Sequence, residues 1–285
     1  MRDIHLAMEE HDVARVAAIV SHDPSQIHAP WSADLPDQPL HMAAYADQPE
    51  IVAILLDYGA DVNARGVQER TPLHVAAYHG SFQVVQILIE RGADIGRIDE
   101  KGCTPLLLAA SNTREPETRE VAQVLIGRGA TVDLNTAVRL GDIARVQAVL
   151  ATAPDAIQHA PFPADLVYDA VLTVWLHMID VCGWSDNEQQ AAQAGESQLP
   201  LLELLLAHGA NVNSIGSSRE PALFLAVQLP HPIIATWLLN HGAQIDQKAP
   251  NGTLLRTAVA SSKAAAAMEA TLRAYQPTRY QNDAW

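Results

Sequence analysis

An all-helical solenoid of stacked helix–turn–helix units is the fold class that the sequence predicts, and three observations predict it. The first is self-similarity at a fixed period. Thr71-Pro72-Leu73-His74-Val75-Ala76-Ala77 recurs 33 positions later as Thr104-Pro105-Leu106-Leu107-Leu108-Ala109-Ala110, and Gln38-Pro39-Leu40-His41-Met42-Ala43-Ala44 stands one period earlier. A unit of this length cannot bury its apolar stripe alone, so a stack of units has to supply the core. The second observation is punctuation: Gly59-Ala60-Asp61, Gly92-Ala93-Asp94, Gly129-Ala130, Gly209-Ala210-Asn211 and Gly242-Ala243-Gln244 close successive segments. The third is composition. Hydrophobic residues make up 48% of the 285, much of it Ala and Leu, and aromatic residues only 5%. So few rings suit thin layers of helix on helix rather than one thick core.

Each element follows from local chemistry. Pro72 suits the first turn of a helix, where its missing N–H is no loss and its φ is already set. Thr71 before it is an N-cap, and Ala76 and Ala77 let two helices approach closely. Gly80 ends this short helix in the left-handed conformation. Val84, Val85, Ile87, Leu88 and Ile89 form the apolar stripe of a second helix, which Gly92 terminates. Counting such units along the chain gives about eight. The first runs over about 3–30, with helices near 5–10 and 12–20. The three motif copies mark the second to fourth, and the others cover about 134–150, 165–207, 221–240 and 253–275.

With its period and its Thr-Pro-Leu-His-x-Ala motif at 71–76, the chain resembles the ankyrin-repeat family. The resemblance implies helix pairs joined by short β-turn fingers, here 64–70, 98–103, 215–219 and 247–252. It also implies that His74 ties the turn of its repeat to a neighbour, and that proteins bind on the concave face of finger tips and first helices. Two departures stand out. Only 8 positions separate Gly129 from Ala137, against 17 from Gly92 to Ala109, so one finger is nearly absent. Around it, Asp142-Ile143-Ala144-Arg145-Val146 repeats Asp12-Val13-Ala14-Arg15-Val16, and His159-Ala160-Pro161-Phe162 matches His28-Ala29-Pro30-Trp31. These parallels predict two tandem arrays, 1–130 and 131–285, stacked as one continuous solenoid with a seam near Asp133. Trp31 and Phe162 are expected to anchor the linkers that replace regular fingers. The second departure is an insertion over 182–198, whose Gln, Ala and Ser content predicts a mobile loop carrying one large ring, Trp184.

The chemistry-bearing residues point to binding rather than catalysis. The 12 histidines include no pair at the i,i+4 spacing of a helical zinc site, and His208 and His241 sit where they cap helix ends. No nucleophile motif or phosphate-binding loop is present, and glycines serve as repeat punctuation. An enzyme with the 182–198 loop as a lid is the contrasting class. It would need a convergent acid–base pair around the loop, and finding only exposed Asp180, Asp186 and Glu188 there, titrating ordinarily, would sink it; no catalytic residue, cofactor or metal is assigned. Two cysteines build no disulfide framework, the first residues lack a signal peptide's apolar run, and no apolar stretch reaches membrane-spanning length. A cytoplasmic location is the expectation. The balance of 18 basic and 33 acidic residues, net −15, disfavours nucleic acid and anionic membranes. It suits a basic protein partner, though acidity also serves solubility alone.

The expected function is therefore a protein–protein interaction module, an adaptor or scaffold. The alternative is an acidic inhibitor, such as a bacterial immunity protein, that neutralises a basic toxin or enzyme. Tyr, Trp and Arg dominate binding hot spots. The expected contacts are accordingly Tyr45, Tyr78 and His79 on first helices, Arg65 and Arg70 on a finger, Arg97 just before the next, Asn112, and Trp184 in the insertion. Tyr45 and Tyr78, one period apart, are expected to be stacked neighbours along the groove.

Overall fold

A computed structural model gives the fold over residues 2–32, 35–112, 116–162, 164–182, 188–215, 220–229, 231–245 and 265–275. Among these residues every regular element is helical and there is no strand. The chain divides into two compact units, Met1–Val132 and Asp133–Trp285.

The first unit holds four helix pairs: α1 (Arg2–Glu9) with α2 (Val13–His22), α3 (Pro39–Tyr45) with α4 (Pro49–Asp57), α5 (Pro72–His79) with α6 (Phe82–Glu90), and α7 (Pro105–Ser111) with α8 (Pro116–Gly127). First helices pack on first helices (α3 on α5, α5 on α7) and second helices on second helices (α2 on α4, α4 on α6, α6 on α8). Pro39, Pro72 and Pro105 each open a first helix. The alanine pairs Ala43/Ala44, Ala76/Ala77 and Ala109/Ala110 are buried between neighbouring layers. With no side chain beyond Cβ, they let the backbones come close. The second helices fill the remaining space with branched residues, among them Ile51, Val52, Leu55, Val84, Val85, Leu88, Val121 and Leu125, all buried.

A left-handed residue turns the chain between the helices of each early pair: His11 (φ 55°), Asp47 (φ 50°) and Gly80 (φ 72°). Only Gly80 adopts this conformation without a Cβ penalty. At its position a Cβ would also press on the Thr118 backbone nitrogen at 3.2 Å.

Histidines then lace repeat to repeat. Thr71 and His74 form a capping box, as do Gln38 and His41. The Thr71 N–H donates to His74 Nδ1 (3.2 Å), while His74 Nε2 reaches the Cys103 carbonyl in the next repeat (3.1 Å). His41 accepts from the Gln38 N–H (3.2 Å), and its Nε2 lies 3.1 Å from both the Ala64 and Arg70 carbonyls. Carbonyls only accept and backbone N–H groups only donate, so each ring is neutral with its proton on Nε2. Burial pushes both imidazoles below their usual pKa. The inter-repeat role that the resemblance implies for His74 is thus met.

The second unit opens with α9 (Leu134–Arg139), α10 (Ile143–Thr152) and the single turn α11 (Ala156–His159). Its local geometry reproduces that of residues 12–29. Asp142 (φ −87°, ψ 84°) caps Arg145 N as Asp12 (φ −85°, ψ 84°) caps Arg15 N, and Ala153 (φ −137°, ψ 86°) matches Asp23 (φ −136°, ψ 88°). Phe162 is indeed tied down. Its N–H and carbonyl pair with the Asn135 amide at 3.1 and 2.9 Å, and Asn135 stands where α1 carries His5. On Trp31, the His5 ring lies 4.6 Å away and the Asp37 carbonyl accepts its N–H at 2.9 Å.

Then come α12 (Leu166–Cys182), α13 (Glu188–Ala207), α14 (Ala222–Ala226), α15 (Ile233–Asn240) and a last described helix, Ala265–Tyr275. The expected mobile loop over 182–198 is corrected in its second half: from Glu188 the segment is helical and continues through Pro200 into the second helix. Of the Gln, Ala and Ser content that predicts mobility, Gln and Ala are good helix formers. Gly195 is buried against Ile233, where an added Cβ would stand 2.4 Å from Cγ2. Trp184, residues 216–219 of the finger at 215–219 and the finger at 247–252 lie outside the described residues, as does 253–264 of the expected last unit.

Asparagines bridge the exits of second helices in both units. Asn63 accepts from the Asp94 N–H and Asn213 from the Gln244 N–H, both at 2.8 Å. Asp61 and Asp94 bond local N–H groups at 2.9 and 3.1 Å, as expected of turn carboxylates, while Asp133 instead caps α9 through Thr136 N (2.7 Å). His208 and His241 donate to carbonyls four residues back, at 2.9 and 2.8 Å, completing their helix ends. Trp237 is buried in its stripe beneath His241.

Candidate functional site

Four of the expected contact residues converge on one surface of the first unit. Tyr45 closes α3 and Tyr78 and His79 close α5, so the period that stacks the helices also aligns their exposed ends. Tyr45 is 57% exposed and Tyr78 37%. The two tyrosines are neighbours through an intermediary rather than ring on ring. The His79 ring meets Tyr45 at 4.6 Å and Tyr78 at 5.1 Å, edge-on in both cases. These distances suit edge-to-face aromatic pairing. On the far side, the Arg70 guanidinium lies 6.0 Å from the centre of the Tyr78 ring, within cation–π range. The ladder therefore runs Tyr45–His79–Tyr78–Arg70.

Backbone and neighbours hold it in place. Asn112 donates from its amide to the Tyr78 carbonyl at 2.7 Å, so it fixes α5's end from the next repeat. Arg70 Nε bonds the buried Asp99 carboxylate at 3.2 Å. Asp99 also accepts from Lys101 and Cys103 N–H groups at 2.9 Å each, which shapes the following finger. The Gly66 N–H donates to the Arg70 carbonyl at 2.8 Å, and the Glu100 N–H donates to the Gln68 carbonyl at 2.9 Å, joining one finger to the next.

Beside the ladder opens a pocket of about 370 Å³, lined by Asp37, His41, Met42, Tyr45, Val67, Gln68, Arg70, Val75 and His79. That is at the small end of ligand clefts, which span roughly 300–1,000 Å³. Its carboxylate is built in: Asp37 Oδ1 accepts from the Val67 N–H at 2.8 Å and rests where a Cβ on Gly66 would stand. Asp37, Met42, Val67, Gln68 and Val75 were not among the expected residues. Met42 and Val75 were within reach of the sequence, being three residues before Tyr45 and Tyr78 and so on the same helical face. Asp37 was not, because its role depends on the chain folding back from Trp31.

Arg65 and Arg97 do not join this pocket. Arg65 pairs with Glu69 in its own finger, and Arg97 is half-buried just before the next finger. In the second unit the position of Tyr78, two residues before the turning glycine, is occupied by Arg139. That side chain is committed to Asp169 at 2.7 Å. Burial pushes Asp169 up to about 6 despite the arginine. An ion pair thus replaces the open aromatic surface there. Among the described residues no three His, Cys, Asp or Glu side chains cluster as a metal site, and no helix is long and apolar enough to cross a membrane.

A family model for ankyrin repeats in three copies matches residues 4–99 and 40–137. No curated protein matches the chain. Ankyrin repeats are generally protein–protein interaction modules and typically non-catalytic. With helix pairs stacked first on first and second on second, and a family match over the same stretch, residues 4–137 of the chain are an ankyrin-repeat array.

Proposed function

We propose that this protein is an adaptor or scaffold without chemistry of its own, and that it takes a protein partner on the Tyr45–His79–Tyr78–Arg70 face of its first unit. The observation that carries the reading is the ladder itself. Two exposed tyrosines and an arginine are held by fixed neighbours, so little side-chain freedom remains to be lost on binding. Rigid aromatic rings beside an arginine are the chemistry of binding hot spots. A cytoplasmic setting belongs to the same proposal, supported by a sequence with only two cysteines.

A second reading, an acidic inhibitor of a basic toxin or enzyme, is favoured by the charge. Residues 1–130 carry 10 basic and 19 acidic side chains and 131–285 carry 8 and 14, so the net −15 is spread over the whole chain.

The test is affinity capture from the native cytosol with the wild-type chain and with Tyr45→Ala/Tyr78→Ala. A partner held by the wild type and weakened by more than about 2 kcal/mol in the folded double variant supports the surface. Unchanged affinity retires it.

A further inference from the structure

We infer that the pocket beside Tyr45 is a subsite for one cationic side chain of the partner, an arginine or lysine, received between the Tyr45 and His79 rings and the Asp37 carboxylate. This deepens the proposed protein-binding role and rests on it.

Three observations converge. First, the pocket's charge is uneven. Arg70 lines it, but its Nε is bonded to the Asp99 carboxylate at 3.2 Å and its guanidinium leans towards Tyr78 rather than Tyr45. Asp37 has no such cation. Its Oδ1 accepts a backbone N–H at 2.8 Å, and its Oδ2 accepts no hydrogen bond from the described residues. Burial pushes the His41 imidazole below its usual pKa although the Asp37 charge pulls the other way, and the Gln38 N–H at its Nδ1 leaves that nitrogen an acceptor, so His41 is no cation for Asp37. The pocket therefore carries one carboxylate with acceptor capacity to spare, in a unit that is itself acidic.

Second, the walls suit a cation on an apolar stem. Tyr45 and His79 offer ring surface, and Met42, Val67 and Val75 offer apolar contact for methylenes. Arginine and lysine have this construction, a charged head on a hydrocarbon stem, and cations are attracted to ring faces. Third, the volume of about 370 Å³ admits one long side chain rather than a helix or strand. A glutamate in the same place would bring its charge to Asp37.

The experiment is an NMR titration of the full chain, following Tyr45 and His79 ring signals. The probes are blocked Gly-Arg-Gly, its citrulline counterpart, which keeps the shape without the charge, and blocked Gly-Glu-Gly. Saturable shifts with the arginine peptide, weakened about tenfold or more by citrulline and by Asp37→Asn, support the inference. Asn retains an acceptor for the Val67 N–H, so the finger is kept while the charge is lost. Tyr45→Leu, at an exposed position, gives a second variant that should weaken the same peptide. Equal binding of arginine and citrulline peptides, preference for the glutamate peptide, or no binding of any probe at these rings overturns the subsite. A captured partner lost by Tyr45→Ala/Tyr78→Ala but unaffected by Asp37→Asn overturns it while leaving the binding face standing. Peptide binding that survives alongside an unaffected partner overturns the face instead.

Discussion

At the scale of single residues, the histidines of the first helices tie each repeat to the chain that follows. His5, His41 and His74 hold equivalent places in successive repeats, and their Nε2 atoms reach carbonyls of the chain that follows: Ala29 at 3.4 Å, Ala64 and Arg70 at 3.1 Å, Cys103 at 3.1 Å. Leu107 fills the place next in line and is simply buried. Burial lowers the pKa of all three histidines in the fold. The unfolded chain, with imidazoles near 6.5, therefore takes up protons first as pH falls. Their contribution is complete above the unfolded value and is lost progressively as pH drops from about 6.5 towards their folded values. Asp169, raised to about 6, acts in the opposite sense. Its folded form holds a proton more tightly than the unfolded carboxyl, so it favours the fold more at acid pH. Three histidines against one carboxyl should give a net loss, read as a lower urea midpoint at pH 5.5 than at 7.5. His74→Ala should cost roughly 2–4 kcal/mol at pH 7.5, since it orphans buried backbone groups, and should flatten the pH slope. A slope unchanged in that variant would place the titration elsewhere.

At the scale of elements, the long helix α13 shows how an insertion can be absorbed into a repeat. Its second half is the regular second helix beginning at Pro200, and its first half is added helix, lying against α15 through Gly195. A proline inside a helix removes one hydrogen bond and crowds the preceding turn, so packing must hold the added half. The Gly195 approach supplies part of it. Gly195→Ala would place a Cβ 2.4 Å from Ile233 Cγ2, and a β-branched neighbour has little rotamer freedom with which to yield. The expected loss is about 1–3 kcal/mol, recovered in part by Ile233→Ala in the same chain. Additive losses in a double-mutant cycle would mean that the two residues do not meet.

At the scale of the whole molecule, charge acts on association more than on fold. If the partner is basic, its association rate should fall by about tenfold or more between low and high salt, with dissociation less affected. A flat response in stopped-flow measurements would favour the adaptor reading over the acidic inhibitor. The fold class, the positions of the first-unit helices and the roles of Pro72, Gly80, His74 and the alanine pairs were all legible from the repeat. Each is a local requirement repeated at a fixed period, and a period survives in a string of letters. The exposed ends Tyr45, Tyr78 and His79 were legible for the same reason. Arg65, equally plausible on paper, pairs within its own finger. Tertiary structure alone decided that His79 comes between the tyrosines, that Arg70 turns to Asp99, and that Asp37 is seated against Gly66 and Val67. It alone also turned the Gln- and Ala-rich insertion into helix from Glu188. Those outcomes depend on side-chain directions and on backbone groups brought together from repeats some 30 residues apart, and periodicity carries no information about which of several polar partners wins.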